Sequence, residues 1–570
     1  MSTLIGKSAS SGVAVGKVLL VQQAPLVIDE KKISDVDGEI RRFHDAVTKS
    51  KADLAGIRDQ VRTKLGPDKA EIFDAHILVL EDPELVGETE RQIRDTKTNA
   101  LFAFREVAQN FITIFETMDN EYMRERASDI KDISDRVLRT MADLQIVDLS
   151  LIAEDVILVA HDLTPSETAT MNRDKVLGIL TNIGGKTSHT AIMARTLEVP
   201  AVLGLRNITE LVKNGDWVAL DGEKGQVILN PDAATRSDFA ERKKAGEAAK
   251  ALLQKLVGLE SCTLDGHHVE LAGNIGTPQD ITSLERHDAE GVGLYRTEFL
   301  FVDRNEMPTE DEQYAAYKVV LEAMGSKRVV IRTFDIGGDK VVPFIHIGKE
   351  ENPFLGYRAI RYCLDHTDLF RTQLRALMRA SVHGKLAVMF PMISSLEELL
   401  AAKEHLAAVC EELKKENIPY RDNVEVGTMI EIPSAALVSD VLAQHCDFLS
   451  IGTNDLIQYT VAVDRLNEKV QDLYDPFHPG VLRLIKIIID NGHRNGAWVG
   501  MCGEMGGSEL HLPLLLGMGL DEFSMAPTLV LRARAQLREW KLSDAKALSE
   551  KVLAQAKSKD IEALLTEAQR

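Results

Sequence analysis

The chain is poor in cysteine and has no long apolar run, and these two absences exclude several classes of protein. Its five cysteines are scattered through 570 residues without a C-x-x-C pair, so neither a zinc site nor a disulfide framework is expected. No stretch of about 18 uninterrupted apolar residues occurs, and the first residues lack the basic start and apolar run of a signal peptide. We therefore expect no membrane span and a cytoplasmic location.

Positive charge is also scarce. The 67 lysines and arginines stand against 88 aspartates and glutamates, which gives a formal net charge of -21. This excess of negative charge disfavours nucleic acid or an anionic membrane surface as the principal partner. With 45% hydrophobic and 27% charged residues the composition is that of an ordinary globular protein, and its length predicts about two to four domains.

Glycine is scarce between residues 21 and 144, where apolar residues recur at helical spacing, as in EIFDAHILVLEDPEL. This pattern predicts a helical subdomain of about four helices. On either side, in 1–20 and 145–230, short β-type runs such as VILVA, VLGIL and WVALD alternate with turns. We interpret the two flanking segments as one α/β domain that the helical subdomain interrupts.

The second half of the chain has a regular rhythm. Residues 231–260 are charged, rich in alanine and free of proline after Pro231, which predicts a helical connector. From 261 to 570 there are eight apolar strand-like runs, most of them separated by helix-like segments. This count predicts a (β/α)₈ TIM barrel, with a doubly wound open sheet as the alternative because periodicity alone does not show closure.

The run GGKTSHTAIMAR places His189 where a glycine-rich turn becomes a helix. Free backbone N–H groups and the positive end of the helix dipole favour an anion there, so the pattern predicts a nucleophilic histidine that carries a phosphoryl group. The alternative interpretation is a capped helix whose histidine is merely hydrogen-bonded.

Polar residues end most of the predicted barrel strands, and reactive groups of such barrels lie at these ends. Several guanidinium groups converging there suit a small substrate with a phosphate and a carboxylate. Glu431 and Asp455 would repel such a substrate unless a hard cation lay between them, which predicts Mg²⁺. Cys502 is either a small core residue or a proton donor. The remaining polar residues of this set are Asn274, Arg296, Arg332 and Asn454 at strand ends, and Lys340, Arg358 and Arg465 in loops.

Together, GGKTSHTAIMAR, EGVGLYRTEFLF, RTFDIGGDK, EVGTMIEIPSA, FLSIGTNDLIQYTVAVDR and MCGEMGG resemble the Enzyme I family, the phosphoenolpyruvate-protein phosphotransferases of the bacterial sugar phosphotransferase system. The resemblance implies that His189 takes phosphate from phosphoenolpyruvate and passes it to a histidine of the carrier protein HPr, and that Cys502 protonates the enolate of pyruvate. It implies Mg²⁺ held by Glu431 and Asp455, and a homodimer formed through the barrel. The implied substrate-binding residues are Arg296, Arg332, Lys340, Arg358, Asn454, Asp455 and Arg465.

Three expectations accompany the resemblance. A hydroxyl of Thr164, Ser166 or Thr168 orients the His189 ring. Transfer between domains requires a swing about the connector and about the two crossings near residues 20 and 145. An acidic surface of the helical subdomain meets HPr; its residues are Asp68, Glu71, Asp74, Glu81, Asp82 and Glu84.

Two rival functions remain open. A pyruvate phosphate dikinase or phosphoenolpyruvate synthase would need a nucleotide-binding region, and the helical subdomain has no glycine-rich phosphate loop. A docking paralogue without catalysis would be expected to have lost His189, an arginine or Cys502, and all are present.

Overall fold

The computed structural model describes residues 2–569 except 22–25, 27, 66, 117–120, 145–148, 150–151, 164–166, 168–170, 186–187, 302–305, 339–341, 343, 346, 349 and 468. The chain divides into two compact units, Met1–Lys250 and Ala251–Arg570. None of the helices in the described ranges is long and apolar enough to cross a membrane.

The first unit contains an eight-stranded sheet in the order β1-β8-β7-β3-β4-β5-β6-β2. Strand β3 pairs in parallel with β4, so residues from the start of the chain and residues beyond 155 build one sheet. Its strands are β1 Ser2–Ile5, β2 Lys7–Ser10, β3 Val13–Val21, β4 Val156–Ala160, β5 Val176–Thr181, β6 Ala201–Leu203, β7 Trp217–Asp221 and β8 Gln226–Leu229.

Five described helices lie between β3 and β4: α1 Val36–Leu65, α2 Pro67–Leu80, α3 Pro83–Thr96, α4 Ala100–Glu116 and α5 Glu121–Met141. They bury an apolar core of their own that includes Phe43, Phe104 and Val137. Asp82 caps α3 by accepting a hydrogen bond from the Glu84 backbone N–H, and Pro83 stands at the first helical position, where its missing N–H costs nothing. This is the helical insertion that the scarcity of glycine predicted.

Among the described residues, three further helices follow in the first half of the chain: α6 His189–Thr196, α7 Ile208–Leu211 and α8 Ala233–Gln254. Helix α8 occupies most of the predicted connector, and the boundary between the two units falls within it.

The second unit is a closed barrel of eight parallel strands, since β16 pairs with β9 and completes the ring. The predicted fold class is therefore confirmed, and the open-sheet alternative is wrong. The barrel strands are β9 Glu270–Ile275, β10 Val292–Arg296, β11 Arg328–Arg332, β12 Lys385–Phe390, β13 Glu425–Ile430, β14 Phe448–Ile451, β15 Trp498–Met501 and β16 Glu522–Met525.

Helices surround the barrel, and their inward faces join the strands in one large apolar core. They are α9 Ile281–Arg286, α10 Glu310–Met324, α11 Ile360–Asp365, α12 Thr367–Ala380, α13 Leu396–Lys415, α14 Pro433–Leu437, α15 Ser439–Ala443, α16 Thr453–Val461, α17 Pro479–Arg494, α18 Leu512–Met518, α19 Val530–Leu537, α20 Leu542–Leu553 and α21 Ser558–Ala568.

A buried arginine fastens the segment that follows α8 to the barrel. Arg534 of α19 donates hydrogen bonds to the Leu256 carbonyl (3.1 Å), the Ser261 hydroxyl (3.0 Å) and the Asp288 carbonyl (2.7 Å). It also forms an ion pair with the Asp288 carboxylate, and its side chain is only 1% exposed.

We expect Arg534→Met to lower the free energy of unfolding by about 3 kcal/mol, because it leaves the partly buried Asp288 carboxylate without its counter-charge. Urea unfolding followed by tryptophan fluorescence measures the change. The matched control is Arg532→Met, whose side chain is 59% exposed and which we expect to change stability by less than about 0.5 kcal/mol. Equal effects of the two substitutions would contradict the role given to Arg534.

Candidate functional site

A cavity of about 370 Å³ opens at the carboxyl ends of the barrel strands. Arg296 and Arg332 are the last residues of β10 and β11, and Glu431 directly follows β13. The predicted residues that line the cavity are Arg296, Arg332, Arg358, Glu431, Asn454, Asp455, Arg465 and Cys502. Residues separated by up to about two hundred positions in the chain are thus brought together by closure of the barrel.

A chain of buried ion pairs fixes two of the arginines. Arg332 contacts Glu298 (Nη2 to Oε1, 2.6 Å) and Asp335 (Nη1 to Oδ2, 2.9 Å). The other oxygen of Asp335 contacts Arg358 (Oδ1 to Nη2, 2.9 Å), whose Nη1 lies 3.2 Å from Asp455 Oδ2. Burial lowers the pKa of both guanidinium groups, but the charge of Asp335 and its neighbours outweighs it and holds both pKa values above normal.

Glu298 and Asp335 were missed by the sequence analysis, although a signal for them was present. Glu298 follows Arg296 by two positions in YRTEF, and Asp335 follows Arg332 by three positions in RTFDIGG. An acidic residue so soon after an arginine at a strand end can reach the same guanidinium group, and such a buried group requires a partner.

The two carboxylates proposed as metal ligands line one wall of the cavity. Glu431 is 3% exposed and accepts a hydrogen bond from the Met392 backbone N–H (2.7 Å, N to Oε1). Burial, followed by the charges of Asp455 and Asp335, raises the pKa of Glu431 to about 8. A cation between them would relieve the repulsion that raises the pKa of Glu431, so these residues fit a hard metal ion. Within the described ranges no cluster of three or more metal-binding side chains occurs, and Mg²⁺ often takes only one or two carboxylates.

The helix that follows β14 and the segment after it are braced on several sides. Asn454 Oδ1 accepts a hydrogen bond from the Glu504 backbone N–H (3.2 Å). The backbone carbonyl of Asn454 accepts one from the Tyr474 hydroxyl (3.3 Å). The Arg465 backbone N–H donates to Gln458 Oε1 (3.0 Å), and the Arg465 guanidinium lies 3.8 Å from Asp455. These contacts hold the Asn454 amide and the Arg465 side chain at the cavity.

Cys502 lies just past β15 and is 3% exposed. Burial raises the pKa of its thiol to about 11, and the nearby Ser450 hydroxyl and Arg332 charge oppose the increase only in part. The group is therefore a thiol near neutral pH, which suits a proton donor better than a nucleophile. The Asn274 amide donates to the Cys502 carbonyl (3.0 Å) and places this strand end.

The helix that begins at His189 lies in the first unit. Ser188 is the N-cap of this helix and accepts a hydrogen bond from the Ala191 backbone N–H (3.3 Å). Gly184, in the turn that precedes the helix, adopts a positive φ of 116°, which glycine tolerates without strain. The side chain of His189 lies outside the described part of the structure, as do Thr164, Ser166, Thr168 and Lys340.

Three family models match the chain. They are described as PEP-utilising enzyme, N-terminal, over residues 5–126; PEP-utilising enzyme, mobile domain, over 152–225; and PEP-utilising enzyme, PEP-binding domain, over 250–542. Since the three matches cover most of the chain, the fold and the cavity are those of a PEP-utilising enzyme.

Individual relatives show which of the PEP-utilising enzymes this chain resembles. The chain is 51% identical over 562 residues to the phosphoenolpyruvate-protein phosphotransferase of Staphylococcus carnosus (strain TM300), with 99% of this chain and 98% of that protein covered. It is 50% identical over 567 residues to the phosphoenolpyruvate-protein phosphotransferase of Bacillus subtilis (strain 168), with 100% of both covered. The chain belongs to the phosphoenolpyruvate-protein phosphotransferase family, as its motifs predicted.

The raised pKa of Cys502 is testable by alkylation. We expect its reaction with iodoacetamide to accelerate about tenfold per pH unit between about pH 7 and 9, because only the thiolate reacts and the pKa is about 11. Peptide mass spectrometry after timed quenching gives the rate at each pH. Cys363, which is fully buried, serves as the control and is expected to remain unlabelled while the protein is folded. A plateau of the Cys502 rate below pH 9 would contradict the prediction.

Proposed function

We propose that this chain transfers the phosphoryl group of phosphoenolpyruvate to His189 and then to a histidine of an HPr-type carrier protein, with release of pyruvate. The observation that carries the proposal is the cavity itself, where four arginines, five carboxylates and a thiol meet at one end of the barrel. A docking protein without catalysis would have no use for a buried thiol beside a cluster of guanidinium groups.

The arginines bind the two anionic groups of the substrate. Arg332 and Arg358 are immobilised by Asp335, so they offer their remaining N–H groups to a phosphate or carboxylate without losing side-chain freedom on binding. Arg296 and Arg465, which are partly exposed at the cavity, complete the anion site together with the Asn454 amide. Lys340, which lies outside the described residues, is proposed to join them on the strength of the family resemblance alone.

Glu431 and Asp455 are proposed to hold Mg²⁺ beside the substrate. When bound, the ion neutralises charge on the substrate oxygens during transfer. Glu431 Oε1 accepts the hydrogen bond from Met392, and Asp455 Oδ2 contacts Arg358. The second oxygen of each carboxylate is left for the cation.

His189 is proposed to attack phosphorus in line, with the start of α6 favouring the anion that it then carries. In-line transfer needs the reacting atoms about 3–3.5 Å apart. Because one ring has to meet both the substrate and the carrier, we propose that the first unit swings between the two, with the connector 231–260 and the crossings near residues 20 and 145 as the hinges.

Cys502 is proposed to protonate the enolate that leaves. Proton transfer to the methylene carbon converts the enolate into the stable keto form of pyruvate and pulls the transfer forward. The thiol form of Cys502 near neutral pH supports this role.

Two protein partners follow from the family. For the carrier we propose the acidic surface of the helical insertion, on which Asp74 already pairs with Arg58 and Arg62, and Glu81 with Lys51. Asp74 (42% exposed) and Glu81 (49% exposed) remain open to solvent despite these pairs, so a basic partner can approach both carboxylates. For a homodimer formed through the barrel, exposed apolar side chains such as Leu437 (64%) and Val438 (38%) give support.

Incubation with labelled phosphoenolpyruvate and Mg²⁺ tests the function. We expect acid-labile label on His189 that transfers to HPr, with release of an equal amount of pyruvate. His189→Ala is expected to lower the transfer rate by at least about a hundredfold, because the nucleophile is lost. The control is His268→Ala, a 57% exposed histidine at the opposite end of the barrel, which should retain the full rate. Phosphoryl relay to HPr by the His189 variant would overturn the proposal.

The raised pKa of Glu431 leads to a separate prediction about the metal site. Glu431 is protonated below about pH 8 and must ionise to bind a cation, so Mg²⁺ binding is expected to release close to one proton at about pH 7 and almost none at about pH 9.5. Calorimetry in buffers of different ionisation enthalpy counts the protons. Glu431→Gln should abolish the release, whereas the control Glu425→Gln, at the opposite end of the barrel, should keep it. A proton count that is the same at both pH values would contradict the assignment.

A further inference from the structure

Cys502 lies just beyond the end of β15, and a side chain from β9 takes the place of a strand partner for it. The register pairing of β15 with β16 ends at Met501 and Phe523. The Cys502 carbonyl, one residue further on, accepts a hydrogen bond from the Asn274 amide (3.0 Å, Nδ2 to O). Its backbone N–H donates to the Ile451 carbonyl of β14 (3.2 Å). Both backbone groups of Cys502 are thus bonded, one to a strand and one to a side chain.

The two neighbours of the Asn274 amide decide which way it is turned. A carbonyl oxygen can only accept a hydrogen bond, so the Asn274 atom that faces Cys502 must be the amide nitrogen. The amide oxygen then faces the opposite way and lies 2.6 Å from the Ser524 hydroxyl. That hydroxyl donates, because the Asn274 oxygen has no proton to give. Ser524 thus fixes the orientation of the amide that holds the Cys502 carbonyl.

These three residues come from three consecutive strands of the ring. Ser524 lies on β16, between β15 and β9. Its register partner on β9 is Ala272, and Asn274 is two residues further along and therefore on the same side of that strand. Ser524 is fully buried, and Gly293 of β10 leaves room for it, because a Cβ on Gly293 would lie 2.4 Å from the Ser524 hydroxyl oxygen. The interior is thus shaped around this hydroxyl.

The chain after Cys502 needs such a brace. Thr453 packs so closely against Gly503 that a Cβ on Gly503 would lie 1.9 Å from Thr453 Oγ1. Glycine is therefore required at this position, although it leaves the backbone more conformational freedom than any other residue. The Cys502 carbonyl belongs to the peptide group that joins Cys502 to Gly503. The hydrogen bond from Asn274 to this carbonyl removes part of the freedom that the glycine brings.

We propose that Ser524 is a positioning residue for the thiol of Cys502 and acts by orienting the Asn274 amide; this rests on the proposed function of Cys502. Neither Ser524 nor Asn274 is among the described residues that line the cavity, so both act through Cys502 and not on the substrate. Catalysis depends steeply on the placement of the reacting groups, and a displacement of about 1 Å can lower a rate about a hundredfold. A neutral amide and a neutral hydroxyl fix the thiol without adding charge beside it.

The test removes each hydrogen bond in turn. Ser524→Ala is expected to lower kcat with HPr as acceptor about fivefold and to leave the KM for phosphoenolpyruvate within about twofold, because the substrate contacts are intact. The solvent deuterium isotope effect on kcat is expected to rise to about two or more, because proton transfer becomes the slow step. Asn274→Asp places a carboxylate oxygen against the Cys502 carbonyl, and we expect it to lower kcat by at least about fiftyfold.

Alkylation of Cys502 gives a readout that needs no turnover. In Ser524→Ala the strand end is less restrained, so the reaction of Cys502 with iodoacetamide at about pH 8 is expected to be about threefold faster than in the wild type. Cys363, which is fully buried, should remain unlabelled in each variant and so shows that the fold is intact.

The control is Ser439→Ala, which removes another fully buried hydroxyl; this one donates to the Ala436 carbonyl (2.8 Å) in a helix outside the barrel strands. We expect it to change neither kcat nor the isotope effect. If Ser524→Ala keeps the wild-type kcat, or lowers kcat without a larger isotope effect, the serine serves only packing and the inference is wrong. It is also wrong if Asn274→Asp is no slower than Ser524→Ala. If the wild-type protein forms no phosphoenzyme, the proposed function fails instead, and the two failures are thereby told apart.

Discussion

The upper end of the barrel depends on one carboxylate, Asp335, which lies between two arginines. Each of its oxygens is 2.9 Å from a different guanidinium group, Arg332 on one side and Arg358 on the other. Three charges buried in this way stabilise one another only if their geometry is kept, and removal of any one leaves the others uncompensated. The arrangement explains how a cavity with several arginines exists before any substrate neutralises them.

The same constraint limits what the cavity binds. Asp335, Glu298 and Asp455 already use part of the hydrogen-bonding capacity of Arg332 and Arg358, so a ligand must compete with these carboxylates or occupy the N–H groups that they leave. A small ligand with two anionic groups can engage the remaining N–H groups and the more exposed Arg296 and Arg465 together. A large polyanion would not fit a cavity of about 370 Å³ and would meet the negative charge of Asp455 at its wall. Selection for a compact dianion is thus built into the ion-pair network.

Much of this structure could be predicted from the sequence. Eight apolar runs predicted the eight barrel strands, and the polar residues at the ends of most runs predicted most of the cavity, because parallel strands in a ring end at one rim. Closure could not be predicted, since β9 and β16 have the same pattern in an open sheet. Asp335 was missed because its partners, Arg332 and Arg358, come together only in the folded chain.

Two carboxyl groups with raised pKa values stand at different levels of the barrel, and their causes differ in a way that separates their roles. Glu431 is buried, but it also shares its surroundings with the charges of Asp455 and Asp335, so a cation placed among them lowers its pKa and makes it a ligand. Glu522 is the first residue of β16 and lies at the end of the barrel opposite the cavity, where Gly293, Gly500 and the Trp498 ring surround its carboxyl. Burial and the charge of Glu270 raise its pKa, and the charge of Arg328 opposes them only in part. Glu522 is therefore a neutral interior group, whereas Glu431, among the charged groups of the cavity, is the carboxylate that a cation would use.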